Sequence, residues 1–278
     1  MTLTVTLILL ISAVVHASWN ALLKVNGDRV AMLAVMYGTM GVICAAIIPF
    51  TAPMTAAAWA WLVPAALLHV VYKLGLIKMY EHGDLSLAYP VARGVAPVAV
   101  LILALLLAGE EPTANQLIGV GLVCIGLMGF ISRKANATIR GLGYAALTGL
   151  IIAAYTVFDG MGVRAVEQAA TFAAWVLLGD GLGTVALGFY FHGRKLPGLC
   201  RDLLPKAVPA GAIAGLAYGG VLWGLGQANM GGVSAIRESS VVFAALIGTL
   251  LMGEPMGTRR IAASVIVVVG IVILSWPA

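Results

Sequence analysis

Ten apolar runs, each close to twenty residues long, follow one another along this chain of 278 residues. A helix needs about 20 mostly apolar residues to cross the hydrocarbon core of a bilayer, at a rise of about 1.5 Å per residue. The polar connections between the runs are short, and the longest leaves no room for a separate soluble domain. The sequence therefore predicts an all-α integral membrane protein with ten transmembrane helices, near residues 3–23, 30–50, 58–80, 86–108, 115–132, 142–163, 169–191, 207–228, 233–252 and 260–277.

The composition also indicates that most of the surface of this protein faces lipid. Only 10% of the residues are Asp, Glu, Lys or Arg, whereas a soluble domain carries about 25%. The 34 glycines are typical of closely packed membrane helices. The net charge of +5 comes from basic residues in the connections, so no nucleic-acid partner is expected. The three cysteines lie far apart, and neither a disulfide, a metal site nor a cofactor is predicted.

The basic residues are distributed asymmetrically between the connections. By the positive-inside rule, connections rich in Lys and Arg face the cytoplasm. We therefore predict a multi-pass protein of the inner membrane with both termini outside. The first 21 residues could alternatively be a secretory signal ending at "VHA", but they lack the basic segment that such signals carry. The connections after the odd-numbered helices contain Lys24, Arg29, Lys78, Arg133, Lys134, Arg140, Arg194, Lys195, Arg201, Lys206, Arg259 and Arg260, and the others only Arg164.

The two halves of the sequence repeat each other. A shift of 144 residues aligns Arg93 with Arg237 and Gly109-Glu110 with Gly253-Glu254, and a shift of 139 aligns Asn20 with Asp159. The halves, residues 1–140 and 141–278, contain five predicted helices each. Because five is odd, the second half enters the membrane in the opposite orientation. Inverted repeats of this kind are typical of secondary transporters with a substrate site near the midplane.

The segments that close the two halves resemble a known family. "LLLAGEEPTANQLIGVGLVCIGLMGF" and "LIGTLLMGEPMGTRRIAASVIVVVGIVIL" are similar to the paired signatures of EamA-type members of the drug/metabolite transporter superfamily, and "HASWNALLK" is typical of one of its branches. The resemblance covers nearly the whole chain. It implies a five-plus-five inverted-repeat fold and transport of small metabolites, often amino acids and frequently outward.

Polar and aromatic residues recur at helical spacing within several predicted helices. Residues at i, i+3 and i+4 share one face of a helix, and such a face is unsuited to lipid. We therefore expect these faces to line an internal cavity. The residues are His16, Trp19 and Asn20; His69, Tyr72 and Lys73; Tyr89 and Arg93; and Tyr155, Phe158 and Asp159.

Arg93 and Arg237 occupy repeat-related positions inside apolar runs. A charged side chain at mid-bilayer costs about 2.5–3.5 kcal/mol on insertion scales, so it is retained for pairing or function. The alternative is snorkelling, in which the long side chain reaches the headgroups, and it applies to Lys73 as well. A planar, permanently charged guanidinium suits a carboxylate or phosphate. We predict that both arginines hold an anionic group of the cargo.

Three acids in the second half allow a structural and a functional interpretation. Asp159 and Glu238 could form ion pairs with the arginines, or one of them could bind a substrate ammonium group or the coupling proton. Asp180, in "LLGDGLG", is expected to distort its helix rather than to bind a ligand.

The remaining candidates are equally open. His16 is either an interhelical hydrogen-bonding residue or a proton-linked one, because histidine titrates near neutral pH. Trp223 and Gln227 could supply a stacking surface and an amide to the cavity, or could belong to the core. Pro90 and Pro97 are expected to bend the fourth helix next to Arg93.

Four glycines of the fifth helix also have two interpretations. They are Gly119, Gly121, Gly126 and Gly129. Small residues on a membrane helix either pack against a neighbouring helix of the same chain or support a homodimer.

These features together predict a secondary active transporter with no enzymatic activity. The expected cargo is a small anionic or zwitterionic metabolite, an amino acid first and an organic or phosphorylated acid second, moved by alternating access in proton-coupled transport or exchange. A cation-exporting multidrug transporter is the alternative within transport, and an intramembrane structural or lipid-handling protein is the alternative of another class. No metalloprotease or serine hydrolase motif is found.

Overall fold

The computed structural model describes residues 1–25, 28–82, 85–131, 138–252 and 257–276. Within these ranges the chain forms twelve α-helices. Their bounds are α1 Leu3–Val25, α2 Arg29–Ile47, α3 Ala56–His82, α4 Leu85–Ala108, α5 Ala114–Gly129, α6 Ile139–Arg164, α7 Ala169–His192, α8 Leu196–Arg201, α9 Leu204–Gln227, α10 Met230–Arg237, α11 Ser240–Met252 and α12 Thr258–Ser275. Two short 3₁₀ helices, at Ile48–Phe50 and Gly193–Lys195, join neighbouring helices.

The described helices give a membrane-spanning bundle. Nine spans are long and apolar enough to cross a bilayer, and a further apolar helix, α5, has 16 residues. The predicted all-α membrane fold is confirmed. Short helix α8 occupies the longest connection, where Leu196 is buried against Ala31 and Ala34 of α2.

The predicted ninth span is present, from Met230 to Leu250, but it consists of two helices rather than one continuous helix. Helix α10 ends at Arg237 and α11 begins at Ser240. Between them the Ser239 amide donates to the Ile236 carbonyl, and the Val242 amide donates to the Ser239 carbonyl. These i to i−3 bonds tighten the backbone into a 3₁₀-like turn. Discontinuous helices of this kind occur near the binding sites of secondary transporters.

Helix α1 has one face toward lipid and one face toward the core of the bundle. Leu3, Leu7 and Ile11 are exposed, whereas Leu9 and Ala13 are fully buried. In a membrane bundle both faces are apolar, because the exposed side chains contact lipid rather than water. Hydrophobic periodicity therefore says little here about which face is the interior.

The helix contacts follow an approximate two-fold symmetry. Helix α2 packs against its counterpart α7, and α5 packs against its counterpart α12. The contact between α3 and α6 is matched by that between α1 and α9, and the contact between α4 and α6 by that between α1 and α11. These pairings confirm two inverted five-helix repeats. The aligned Gly253-Glu254 lies outside the described residues.

Glycines set the closest approaches at these symmetric contacts. A Cβ atom at Gly181 of α7 would lie 2.6 Å from the Tyr37 carbonyl oxygen of α2, and one at Gly270 of α12 would lie 2.8 Å from the Gly119 carbonyl oxygen of α5. Gly126 and Gly129 also face Ala263 of α12, whereas Gly121 has open space around its Cα. Gly119, Gly126 and Gly129 therefore serve packing within the chain.

The two ends of the bundle differ in charge. One end, which we call the basic end, holds the connections after α1, α3 and α7, where His192 Nε2 contacts Asp28 Oδ1 at 3.2 Å. At the opposite end, Arg164 Nη1 lies 2.5 Å from Glu110 Oε1. Gly109 adopts a left-handed φ of 65°, which glycine tolerates without strain, and this turn places Glu110 after α4.

Candidate functional site

A cavity of about 60 Å³ lies at the centre of the bundle, between the two repeats. Helices α1, α2 and α3 of the first half and α6, α7, α9 and α10 of the second half contribute to its wall. Its charged and titratable lining residues are His16, His69, Lys73, Asp180 and Arg237, and its aromatic lining residues are Trp19, Tyr37, Tyr72, Tyr155 and Tyr218.

A second cavity, of about 110 Å³, adjoins the first. The two share Trp19, Tyr37, Tyr72 and Lys73 in their walls. The second cavity continues to Arg29 at the start of α2, and so it leads from the centre toward the basic end. It is mainly apolar and also contacts Asn20 and Tyr89.

The opposite end is closed by polar contacts that converge on Arg164 and Glu110. Besides its ion pair with Glu110, Arg164 donates from Nε to the Leu225 carbonyl and from Nη2 to the Ala228 carbonyl. Glu110 Oε2 accepts the Met230 amide at 2.9 Å. These contacts join the α4–α5, α6–α7 and α9–α10 connections. We call this end, where the three connections contact one another, the closed end.

Arg93 is buried inside the bundle and does not snorkel. Its side chain is 2% exposed, and its Nη1 donates to both carboxylate oxygens of Glu238, at 2.9 and 3.2 Å. Its Nη2 lies 2.7 Å from His16 Nε2, and its guanidinium lies 5.0 Å from the centre of the Tyr89 ring. Arg93 and Glu238 neutralise each other across α4 and the end of α10, outside the wall of the central cavity. Pro90 and Pro97 lie within the same continuous helix.

Arg237 has a different environment, although it occupies the repeat-related position. It lines the central cavity and is 7% exposed. Its Nη2 donates to the Tyr155 hydroxyl at 2.9 Å, and its guanidinium faces the Tyr155 and Tyr218 rings at 5.8 and 5.3 Å. Within the described residues Arg237 makes no ion pair. It therefore presents a cation with spare donors to the cavity.

Lys73 and Asp180 form a buried ion pair at the cavity wall. Lys73 Nζ donates to Asp180 Oδ1 and, at 3.3 Å, to the His69 carbonyl, and it lies 4.1 Å from the centre of the Tyr37 ring. Asp180 sits in the uninterrupted helix α7. The expectation that Asp180 distorts its helix is wrong, because α7 continues through this position. The charge of Asp180 is balanced by Lys73. Lys73, like Arg93, does not reach the headgroups.

His69 connects Asp180 to a second buried acid, Asp159. His69 Nε2 lies 3.0 Å from Asp159 Oδ2, and its Nδ1 lies 3.8 Å from Asp180 Oδ2. The Tyr218 hydroxyl donates to the same Asp159 oxygen at 2.6 Å. Asp159 is fully buried, and its Oδ1 has no hydrogen-bond partner among the described residues. Asp159 therefore pairs with His69 and Tyr218, rather than with an arginine.

The structure brings most of the predicted site residues together, but in three groups. His16, Trp19, Tyr72, Lys73, Tyr155 and Arg237 line the central cavity, and Asn20 and Tyr89 line only the adjoining one. Arg93 and Asp159 lie behind the cavity wall as partners of His16 and His69, and Glu238 pairs in turn with Arg93. Of the two positions left open for Trp223 and Gln227, neither residue takes the one in the cavity wall. Trp223 packs against the hydrophobic core and Gln227 is exposed, because their side of α9 turns away from the cavity.

Sequence reasoning missed Tyr37 and Tyr218, gave Asp180 no binding role, and placed His69 on a cavity face without a role of its own. His69 had a signal, since it lies four residues before Lys73 on one helical face. Tyr218 stands among glycines and alanines in "GLAYGG", and small neighbours are common throughout this chain. Only the packing of α9 against α6 shows that its hydroxyl meets Asp159.

Comparisons with known proteins agree with this architecture. The sequence model of the EamA-like transporter family matches residues 3–132 and again residues 139–276. Uncharacterized protein PA1977 of Pseudomonas aeruginosa is 32% identical over 240 residues, which cover 81% of this chain and 76% of that protein. A solved structure described as "Crystal structure of protein" aligns with a TM-score of 0.76 at 15% identity, covering 99% of both chains. At that identity the likeness concerns the fold alone.

Proposed function

Because this chain belongs to the EamA-like transporter family, we propose that it carries a small anionic or zwitterionic metabolite across the inner membrane through its central cavity. The first choice of cargo is an amino acid, and the second is an organic or phosphorylated acid. The proposed net direction is export, as the family resemblance implies. Loading from the basic end, which we take as cytoplasmic with both termini outside, fits the closed contacts at the opposite end.

The observation that carries this proposal is the difference between the two arginines. Glu238 forms an ion pair with Arg93, whereas Arg237 faces the cavity and contacts a tyrosine hydroxyl and two aromatic rings. A guanidinium with spare donors binds a carboxylate or phosphate through two parallel hydrogen bonds. Arg237 is therefore the proposed anion-binding residue, and Arg93 supports the fold around it.

The other cavity residues have proposed roles that follow from their chemistry. Trp19, Tyr72 and Tyr155 supply flat surfaces for the apolar part of the cargo, and His16 and Asn20 supply polar edges. Lys73 is neutralised by Asp180 and so leaves the anion to Arg237. A cationic drug fits this wall poorly, because Asp180 and Glu238 are paired with basic residues and Asp159 is fully buried behind the wall.

The test measures ligand-induced thermal stabilisation of the purified protein, followed by transport in proteoliposomes. The probes are L-alanine, L-glutamate, succinate and phosphoenolpyruvate, with ethidium as the cationic comparison. We expect at least one anionic or zwitterionic probe to stabilise the wild type, as a ligand specific for the folded state must. Stabilisation by ethidium alone would contradict the anion assignment.

Variants of Arg237 then identify the binding residue. Arg237→Gln removes a charge-assisted contact of about 1.5–3 kcal/mol, which corresponds to an affinity loss of about tenfold to a hundredfold. Arg237→Lys keeps the charge and loses the planar fork, so a smaller loss is expected. Arg194→Gln, in the exposed α7–α8 connection, is the matched control. Unchanged binding in Arg237→Gln would remove Arg237 from the site.

A further inference from the structure

We propose that His69 and Asp159 together form the proton-binding site that couples this transporter to the proton gradient, taking up one proton with each cargo molecule. The proposal rests on the function given above and names the coupling group of the same cavity. It starts from the charges that the described residues bury around the cavity, and from which of those charges have partners.

Among the described residues around the cavity, two buried acids form ion pairs with Lys or Arg. One cation and one acid remain outside these ion pairs. Asp180 pairs with Lys73, and Glu238 pairs with Arg93. The cation left over is Arg237. The acid left over is Asp159, whose contacts are the imidazole of His69 and the hydroxyl of Tyr218.

An ionised carboxylate at the position of Asp159 is poorly compensated. Its Oδ1 is buried without a partner among the described residues, and Oδ2 accepts from a neutral hydroxyl. Burying an acid without a cation is costly. One proton added to a neutral His69 and an ionised Asp159, whose Nε2 and Oδ2 lie 3.0 Å apart, changes the charge of this pair from minus one to zero.

The charged and titratable groups around His69 come from every helix packed against it. Helix α6 presents Asp159 and the Tyr155 ring, and this ring stacks on the His69 ring with the two centroids 4.2 Å apart. Helix α9 presents Tyr218. Helix α7 presents Asp180, 3.8 Å from Nδ1. The nearby cations are Lys73 on the same helix, which is paired with Asp180, and Arg237 on α10, which lies beyond the Tyr155 and Tyr218 rings.

Tyr218 links the proton site to the anion site. Its hydroxyl donates to Asp159, and its ring faces the Arg237 guanidinium at 5.3 Å. Before cargo binds, Arg237 is a positive charge on the other side of this tyrosine that has no acid partner among the described residues. An anion bound at Arg237 cancels that charge and leaves Asp159 without compensation, which favours proton uptake. Because such coupling is reciprocal, a bound proton also favours the anion.

The burial of Asp159 selects a proton over a cargo ammonium group as its partner. His69 lines the cavity, whereas Asp159 is 0% exposed and lies behind it. A proton can pass from cavity water through the imidazole to the carboxylate, but an ammonium group cannot reach the acid directly. The carrier is therefore a proton–cargo symporter, and an accumulated metabolite leaves the cell together with a proton.

The first experiment follows protons and cargo in proteoliposomes that contain a pH-sensitive dye. L-alanine, L-glutamate and succinate are imposed in parallel as outward gradients. In the wild type, cargo efflux is expected to carry protons out and make the lumen alkaline, at about one proton per cargo molecule. In Asp159→Asn, exchange of labelled for unlabelled cargo continues while the proton movement is lost. Asp202→Asn, at an exposed acid, behaves as the wild type.

Two outcomes overturn the coupling site while leaving the proposed function intact. One is cargo efflux from wild-type vesicles without any proton movement. The other is unchanged proton movement in Asp159→Asn. If none of the probes is bound or moved, the proposed function is what fails.

A second measurement uses no cargo and so separates the two proposals. Infrared difference spectra of the purified protein between about pH 5 and about pH 9 are expected to contain imidazolium or carboxyl bands from the pair. The double variant His69→Gln with Asp159→Asn should lack these bands, and Asp202→Asn should retain them. Spectra that are the same in the double variant and the wild type would show that this pair binds no proton, whatever the cargo.

Discussion

Arg93 Nη2 lies 2.7 Å from His16 Nε2, and the guanidinium makes the histidine the acceptor because it has donors only. The proton of a neutral His16 is then on Nδ1. This contact joins α1 to α4, and Glu238 extends it to the end of α10. Of the two interpretations of His16, the interhelical hydrogen bond matches this geometry.

We expect the acceptor at position 16 to matter for stability. His16→Leu leaves a buried donor of Arg93 without this partner, at a cost of about 1–3 kcal/mol. His16→Gln offers an amide oxygen in its place, and a smaller loss is expected. Reversible unfolding in mixed detergent micelles measures both. Equal losses in the two variants would show that packing, and not the hydrogen bond, is what His16 contributes.

The Arg93–Glu238 ion pair gives a second prediction. Removing one partner of a buried pair leaves an uncompensated charge, so Glu238→Ala should lower the free energy of unfolding by about 3–5 kcal/mol. The double variant Arg93→Met with Glu238→Leu replaces both charges by apolar groups of similar size and should recover most of that loss. The same unfolding assay completes the double-mutant cycle. A double variant as unstable as Glu238→Ala would contradict this account.

The sequence predicted both arginines but not their different partners. The repeat shift that aligns Arg93 with Arg237 makes them equivalent, and Glu238 is the chain neighbour of Arg237. Adjacent residues on a helix point about 100° apart, so Glu238 turns instead to Arg93, 145 residues earlier. Which of two cations an acid meets depends on how α4 and α10 cross, and no local pattern contains that information.

The span count and the inverted repeat were predictable because both depend on long apolar runs. The cavity wall was only partly predictable. A polar stripe correctly indicated the faces with His16, Lys73 and Tyr155. The position of Trp223 could not be predicted, because an aromatic residue suits core, cavity and lipid alike. The break between Arg237 and Ser240 also had no signal, because neither proline nor glycine occurs there.

The Glu110–Arg164 ion pair is expected to stabilise the closed end of the bundle against local opening. Its side chains are 12% and 32% exposed, and Arg164 also donates to the Leu225 and Ala228 carbonyls. We expect Arg164→Ala to raise amide hydrogen exchange in residues 225–231 severalfold, because the local opening free energy falls. Hydrogen exchange with mass spectrometry measures this.

Lys78→Ala is the matched control at the basic end. Lys78 and Glu81 form an ion pair 2.7 Å long, with side chains 54% and 48% exposed, and such surface pairs contribute little to stability. No change is expected in residues 225–231. If Arg164→Ala left their exchange at the wild-type level, the ion pair would not hold this end closed.

Helix α5 allows a matched test of the packing between the two repeats. Gly270 of α12 approaches α5 so closely that a Cβ atom would lie 2.8 Å from the Gly119 carbonyl oxygen and 3.0 Å from the Val123 amide nitrogen. Because both are backbone atoms, the helices must move apart, and Gly270→Ala should cost about 1–3 kcal/mol. Gly121→Ala on α5 meets no atom within 4 Å and should be neutral or gain up to about 1 kcal/mol from helix propensity. Unfolding in detergent measures both, and a Gly121→Ala variant that loses as much as Gly270→Ala would indicate that the outward face of α5 is also packed, as in a homodimer.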